Sequence, residues 1–295
     1  MLTKAGTHGP PRARESHERF PRIEQRRRIA TDEEKSDACP VSVDLSIADG
    51  RADLVLKRPE VLNAMNWDVF DGLTNAIGSI ADDPEVRVVV VAGEGSSFSS
   101  GIDTTIFGDV QGNPAGMIRR AQAPFRALAD LVVPSIASVR GHALGAGMQL
   151  ALACDLRVVA RDAQLGLLEG KFALIPDLGG TRGLTSLVGP GRAKKMIWLA
   201  ERVDGAEAER LGIAEVVVDP EQLDEAVDDL AARLATASPV AVREAMRLVN
   251  LAGRVDADGG MDEEARSQKR IFASPDFAEA ISAFTEGRSP RYGGG

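Results

Sequence analysis

Residues 86–91 read VRVVVV. A run this apolar has almost no polar face to offer water, so it predicts a strand covered on both sides, as in the middle of a sheet flanked by helices. The neighbouring segments fit such a sheet. Residues 41–58 alternate around Asp49-Gly50, which predicts a β-hairpin. Residues 66–83 carry Trp67, Phe70, Leu73, Ile77 and Ile80 on one helical face. A helix over 115–130, a strand over 134–140, a helix over 147–153 and a strand over 155–160 continue the series. This repetition of strands and helices predicts an α/β core. From Pro220 onward four segments show only helical spacing.

Two strands run into loops of small residues. After 134–140, residues 141–147 (GHALGAG) break regular structure before the next helix. A helix N-terminus carries unpaired N–H donors and partial positive charge, which would stabilise a carbonyl oxygen gaining negative charge. Gly145, Ala146 and Gly147 leave the backbone open to a ligand; a plain tight turn explains them equally well. After 86–91 comes AGEGSSFSSGID, with Gly93, Gly95 and Gly101. Two such turns can give two N–H groups to one oxygen. Neither has the Gly-Lys-Ser/Thr of a phosphate loop or the spacing of a dinucleotide fingerprint.

Just beyond, Glu169 and Asp177 stand isolated among Leu, Phe and Ile. Carboxyls in apolar surroundings have raised pKa values and suit proton transfer. Other readings are open: a surface or salt-bridged role for Glu169, and a turn or helix cap for Asp177, since Pro-Asp before a glycine pair is a capping signature.

The ordered blocks RPEVLNAM (58–65), DDPEVRVVVVAGEGSSFSSGID (82–103), GHALGAGMQLALACDLRVVA (141–160), AQLGLLEGKFALIPDLGGTRGL (163–184) and AERVDGAEAERLGIAEVVV (200–218) resemble the crotonase (enoyl-CoA hydratase/isomerase) superfamily. The resemblance covers residue 41 to the C-terminus. It implies a spiral of repeated ββα units with a C-terminal helical region that builds trimers, often paired into hexamers. It also implies an acyl-CoA substrate whose thioester oxygen is held by two backbone N–H groups while an enolate-like species forms. Those donors match Ile102, after Gly101, and Ala146. Gly101, Asp103, Gly145 and His142 beside them are expected to bind substrate, Val61 matches a position beside the adenine end, and Phe284 matches a position near the ligand, with a core phenylalanine as the other reading. Hydratases of the family carry glutamates at positions matching 149 and 169; this chain has Gln149 and Glu169. An amide can hold a water but cannot take its proton near neutral pH. Moving a double bond needs only one base, and an aspartate at the place of Asp177 resembles the acid/base of family isomerases. The resemblance therefore implies an enoyl-CoA isomerase (Δ3-Δ2 or dienoyl) using Glu169 or Asp177, with Gln149 orienting substrate or water; a core or turn-facing amide is the other reading of Gln149. A hydratase in which Asp177 replaces the missing glutamate is the alternative. Dehalogenation, decarboxylation and thioester hydrolysis rank lower. A catalytically silent member binding acyl-CoA or RNA is the reading from another class.

Composition sets limits. The net charge of −9 argues against general nucleic-acid binding. Lys57, Arg58 and Arg288 are candidates for coenzyme A phosphates, each equally readable as a solvated charge. Cys39 and Cys154 form no disulfide framework or zinc spacing, and the three histidines form no metal or nucleophile cluster. No metal or redox cofactor is implied; coenzyme A arrives as part of the substrate. No apolar run reaches the ~20 residues needed to span a membrane. Residues 1–40 are rich in Arg, Glu and Pro, without a secretory apolar stretch, and their acids argue against a transit peptide. They are expected to be a disordered extension, 41–219 the core, 220–295 the helical region, and the compartment cytoplasmic.

Overall fold

The computed structural model describes residues 27–28, 41–109 and 112–293. The expected disordered extension lies outside the described residues, except that the backbone of β1 (Arg27–Arg28) pairs with β2 (Val43–Ala48) at the sheet edge. Strand β2 turns into β3 (Arg51–Leu56) through Asp49 and Gly50, both at positive φ (51° and 78°), as a two-residue hairpin turn requires.

From β3 the large sheet becomes parallel through β4 (Val88–Gly93), β5 (Ser135–Val139), β7 (Leu156–Ala160) and β10 (Val216–Val218). The central run is displaced two residues from its predicted limits. Val86 and Arg87 belong to the entry turn, where they donate to Asp83 and Gly50 carbonyls. Val88–Val91 are buried. Helix α1 (Trp67–Ala81) covers one part of this core with Val69, Phe70, Leu73, Ile77 and Ile80. Its start is fixed by Asn66, whose side chain accepts the Val69 N–H. Helix α2 (Pro114–Ala129) packs on α1.

The loop expected over 141–147 contains a short strand, β6 (His142–Leu144), parallel to β8 (Gln164–Gly166), which pairs antiparallel with β9 (Val203–Asp204). Three residues are too few for a period to be read from sequence. Strands β5 and β6 lead into α3 (Ala146–Ala153), and β7 and β8 lead to α4 (Gly180–Leu199). Each unit thus gives one strand to each sheet, and successive units stack as a ββα spiral, the fold the resemblance implied. Helix α5 (Gly205–Leu211) precedes β10.

The division expected at 219/220 is corrected by packing. Helix α6 (Leu223–Ala235) lies against β4, β5 and β7 and buries Leu223, Val227 and Ala231, so it belongs to the core. The helical region proper is α7 (Pro239–Leu251), α8 (Ala257–Phe272) and α9 (Pro275–Glu286), which pack on one another. Helix α8 starts before its apolar pattern does, because Asp256 caps it by accepting the Gly259 N–H. No helix among the described residues is long and apolar enough to cross a membrane.

Candidate active site

Two loops meet beside the N-terminus of α3. Ser99 forms an isolated parallel bridge with Ala143; its N–H donates to His142 and its carbonyl accepts from Leu144 at 3.0 Å. The first loop is shaped from within by Asn63, which is buried and held at φ 55°. Its amide donates to the Glu94 and Ser97 carbonyls at 2.9 and 2.7 Å, its side-chain oxygen accepts the Arg58 N–H, and its carbonyl accepts Ser99 Oγ. Asn63 lies in the block RPEVLNAM, where its spacing carries no sign of this role. A buried asparagine bonded to two loop carbonyls, one amide and one hydroxyl becomes visible only in three dimensions.

This stitching brings the two expected oxyanion donors near one another. Ile102 sits in a parallel bridge with Met65, in which Met65 N–H donates to Gly101 and Asp103 N–H donates to Met65. The N–H of Ile102 itself points the other way and makes no hydrogen bond among the described residues. Ala146 is the first residue of α3, so its N–H has no partner within the helix. Gly101 (φ 110°) lies between them: a Cβ there would stand 2.8 Å from the Leu144 oxygen and 3.6 Å from the Ala146 nitrogen. Gly145, at φ 53°, precedes the helix, and a Cβ on it would stand 3.5 Å from Glu169 Oε1.

Glu169 opens a 3-10 turn after β8 and is 9% exposed. Its Oε1 accepts from Gln149 Nε2 at 2.7 Å, while Oε2 is buried with no partner among the described residues. Burial pushes the carboxyl above the ordinary range; its own backbone N–H and the Gln149 amide pull it back, and the charge of Asp177 adds to the rise. No ion pair is formed by Glu169 among the described residues, so the surface or salt-bridged reading does not hold.

Gln149 is a buried, turn-facing amide, and it takes the capping role read for Asp177. Its Oε1 accepts the Leu178 N–H at 2.7 Å and the Gly180 N–H at 3.0 Å. Both carbonyl lone pairs are therefore engaged, and the amide is bound to protein rather than presented to substrate or water as its acceptor. It also performs the capping that Pro-Asp suggested for Asp177. The N-cap of α4 is Gly179, without a side chain, and the donors at that helix start turn to Gln149 from α3. Gly180 has to be glycine for this, since a Cβ would fall 2.6 Å from Gln149 Cγ. Asp177 is left half-buried with its carboxyl uncommitted apart from its own backbone N–H, and burial raises its pKa.

The remaining candidates divide. Asp103 is turned into the scaffold: Oδ2 pairs with Arg58 at 2.9 Å and Oδ1 accepts the N–H and hydroxyl of Thr105. Those Thr105 bonds, with Arg58 behind them, hold it below the usual carboxylate range. The same ion pair occupies Arg58, Lys57 lies 3.9 Å from Asp44, and Arg288 binds Glu279 and Glu286. All three phosphate candidates are thus engaged by carboxylates. His142 shares a hydrogen bond with Ser97 through Nδ1, 3.0 Å. Val61 lies in a 3-10 turn, and its carbonyl accepts Ser100 Oγ. Phe284 is 87% exposed on α9, which rules out the core reading within one chain. No group of three or more His, Cys, Asp or Glu among the described residues could hold a metal ion.

An acid pair beside two free N–H donors can hold a polarised carbonyl and move protons on adjacent carbons. Comparisons with known proteins agree with that chemistry. The sequence profile of the enoyl-CoA hydratase/isomerase family matches residues 47–295. Crotonyl-CoA hydratase of Syntrophomonas wolfei subsp. wolfei is 34% identical over 241 residues, spanning 81% of this chain and 93% of its own. The structure of enoyl-CoA hydratase subunit I from Geobacillus kaustophilus HTA426 superposes with a TM-score of 0.81 at 35% identity, over 86% of this chain and 99% of that one. A Thermobifida fusca YX chain solved in complex with acetoacetyl-CoA is 37% identical with a TM-score of 0.76, over 79% of this chain and 95% of its own.

Proposed function

Since the chain belongs to the enoyl-CoA hydratase/isomerase family, we propose that it moves the double bond of an enoyl-CoA from C3–C4 to C2–C3. The observation that carries this reading is the saturation of Gln149 Oε1 by two backbone N–H donors. A water attacking an alkene needs acceptors for its protons as it turns its lone pair on the carbon. Position 149, which would be one of them, has none to give. Proton transfer along the acyl chain does not need it.

The thioester oxygen sits on the Ile102 and Ala146 N–H groups, which stabilise its charge as the enolate develops. Glu169, next to Gly145 and so close to the thioester end, takes the C2 proton on Oε2. The C2–H electron pair forms a C1=C2 bond as the thioester π pair moves onto its oxygen, giving a dienolate; when the oxygen pair returns, the C1=C2 pair becomes the C2=C3 π bond. The former C3=C4 pair takes a proton at C4 from the Asp177 carboxyl, whose pKa burial raises. Glu169 ends protonated and Asp177 ionised, and a proton passing between them through solvent restores the start. Gln149 holds Glu169 Oε1, which leaves Oε2 as the working atom.

A second reading has support. The relatives' names include hydratases, and the Glu169 and Asp177 carboxyls are near enough for each other's charge to matter. In that reading the two carboxyls hold the water between them. Incubation with 3-enoyl-CoA and with 2-enoyl-CoA in deuterated water, read by mass spectrometry, separates the two. Migration of the first without water addition to the second supports isomerisation. Water addition without migration supports the hydratase.

We also propose a homotrimer or dimer of trimers. Val249, Met261, Phe272, Ile281 and Phe284 on α7–α9 are more than half exposed in the single chain, a surface suited to burial between subunits. Light scattering that gives a mass three or six times that of the chain supports this; a monomer overturns it.

A further inference from the structure

The peptide group joining Asp177 to Leu178 is held at both ends by glutamines from different helices. Its N–H donates to Gln149 Oε1 of α3 at 2.7 Å. Its carbonyl accepts from Gln122 Nε2 of α2 at 2.6 Å. The Gln122 amide is itself oriented, because its Oε1 accepts from Arg126 Nη2 one turn along α2 at 3.1 Å. A peptide plane gripped at both ends cannot rotate. It fixes the ψ of Asp177 and with it the direction in which the side chain leaves the backbone.

We propose that Gln122 is a positioning residue for Asp177, setting the point on the acyl chain at which the second carboxyl acts. The inference rests on the isomerisation proposed above and goes beyond it. Gln149 serves both carboxyls, since it binds Glu169 as well as the Leu178 N–H. Gln122 serves Asp177 alone: none of its hydrogen bonds reaches Glu169 or the loops that carry Ile102 and Ala146. Removing its N–H frees the Asp177 carbonyl end of the plane and leaves the Glu169 side of the site intact.

The test is Gln122→Met, which keeps chain length and helix preference but has no donor. Turnover of 3-enoyl-CoA in deuterated water gives two rates: deuterium entry at C2, which reports Glu169, and double-bond migration, which also needs delivery at C4. We expect migration to fall roughly 10- to 100-fold, the range for a catalytic group misplaced by about 1 Å. C2 exchange and KM should stay within about twofold of the parent, as both depend on groups that Gln122 does not touch. If exchange and migration fall together, or neither falls, the positioning role is wrong. Should Gln122→Met fail to fold, Gln122→Glu replaces it; the Arg126 contact is kept while the donor is lost, and the same two rates decide. Two controls in the parent enzyme keep the readings apart. Glu169→Gln must lose C2 exchange and Asp177→Asn must lose migration. Failure of either control sinks the isomerisation itself, whereas a silent Gln122→Met with both controls met sinks only the role of Gln122.

Discussion

Gln149 Nε2 stands 2.7 Å from Glu169 Oε1, with its own carbonyl oxygen turned to the start of α4. The contact assigns an atom to each job. One Glu169 oxygen is tied to an amide, and the other is buried and unpaired. Truncation at 149 strips partners from Glu169, the Leu178 N–H and the Gly180 N–H together. Gln149→Ala should destabilise the fold by about 3 kcal/mol, the scale for leaving buried polar groups unpaired, measured as the urea midpoint at constant m. Gln149→Glu keeps acceptors for both N–H groups but sets a second carboxyl against Glu169. It should fold, and the acid limb of its activity should move to higher pH as one proton becomes shared between like charges.

The pH dependence of activity follows from the burial of both carboxyls. The proposed isomerisation uses Glu169 ionised and Asp177 protonated, so kcat/KM should be bell-shaped, with both limbs moved up from where free carboxylates would place them. Asp177→Asn should lower kcat and remove the alkaline limb. A profile for Asp177→Asn identical to that of the parent would leave Asp177 outside the reaction.

On the acid limb, stability should change with pH in the opposite sense to activity. The folded-state pKa of Glu169 is raised, so within the window between its unfolded and folded values the native chain binds a proton that the unfolded chain does not. Native stability therefore falls as pH rises through that window, and the burden of the buried charge is complete above it. Glu169→Gln should abolish turnover and raise Tm at neutral pH, with the gap to the parent closing as pH falls below the unfolded carboxylate range. Equal Tm differences at all pH values would show that the charge is not what costs stability.

Ala146→Pro isolates one oxyanion donor. Proline is tolerated at the first position of a helix, where the N–H has no helical partner, and Ala146 holds that position. Loss of this donor should lower kcat by about 10²- to 10³-fold, as for other oxyanion-hole deletions, with Tm little changed. Stopped-assay kcat and a thermal melt on the same sample check both halves.

Asn63 provides a matching test of the scaffold. Asn63→Ala removes two donors and one acceptor from a buried loop and places a Cβ residue of lower αL tolerance at φ 55°. A loss of about 3 kcal/mol is expected, from unpaired Glu94, Ser97 and Arg58 groups. A variant within 0.5 kcal/mol, the usual scatter of surface changes (~0.5 kcal/mol), would mean that water replaces these bonds.

The elements that could be read from sequence are those with a long periodic face or a turn of strict chemistry. The burial of α1 through Phe70, Leu73, Ile77 and Ile80, the Asp49-Gly50 hairpin and the buried run ending at Val91 all have that character. Strand β6 is not legible because three residues hold no period, and the packing of α6 on the sheet is not legible because an amphipathic helix does not say which surface it covers. In the site, Glu169 and Asp177 stood out as charges among apolar neighbours. What each neighbour does was hidden, because it depends on residues distant in sequence: Gln149 meets residues 20 and 29 places on, and Gln122 meets one 55 places on. Asp103 looked like a ligand contact for the converse reason; its partner Arg58 lies 45 residues away.

The stitching of residues 97–103 to residues 142–147 has a consequence for how this protein can change over time. In the proposed reaction the groups that hold the carbonyl belong to the main chain, so proline is the one replacement at Ile102 or Ala146 that would remove them. In that reaction, the groups that choose what happens to the activated carbon are the side chains of Glu169 and Asp177, with Gln149 holding the first, carried on different elements. Mutation can rewrite the outcome of the reaction in steps of one residue while the activating half stays inherited intact. A chain built in this way is free to explore new transformations of one kind of intermediate without first losing the means of making it.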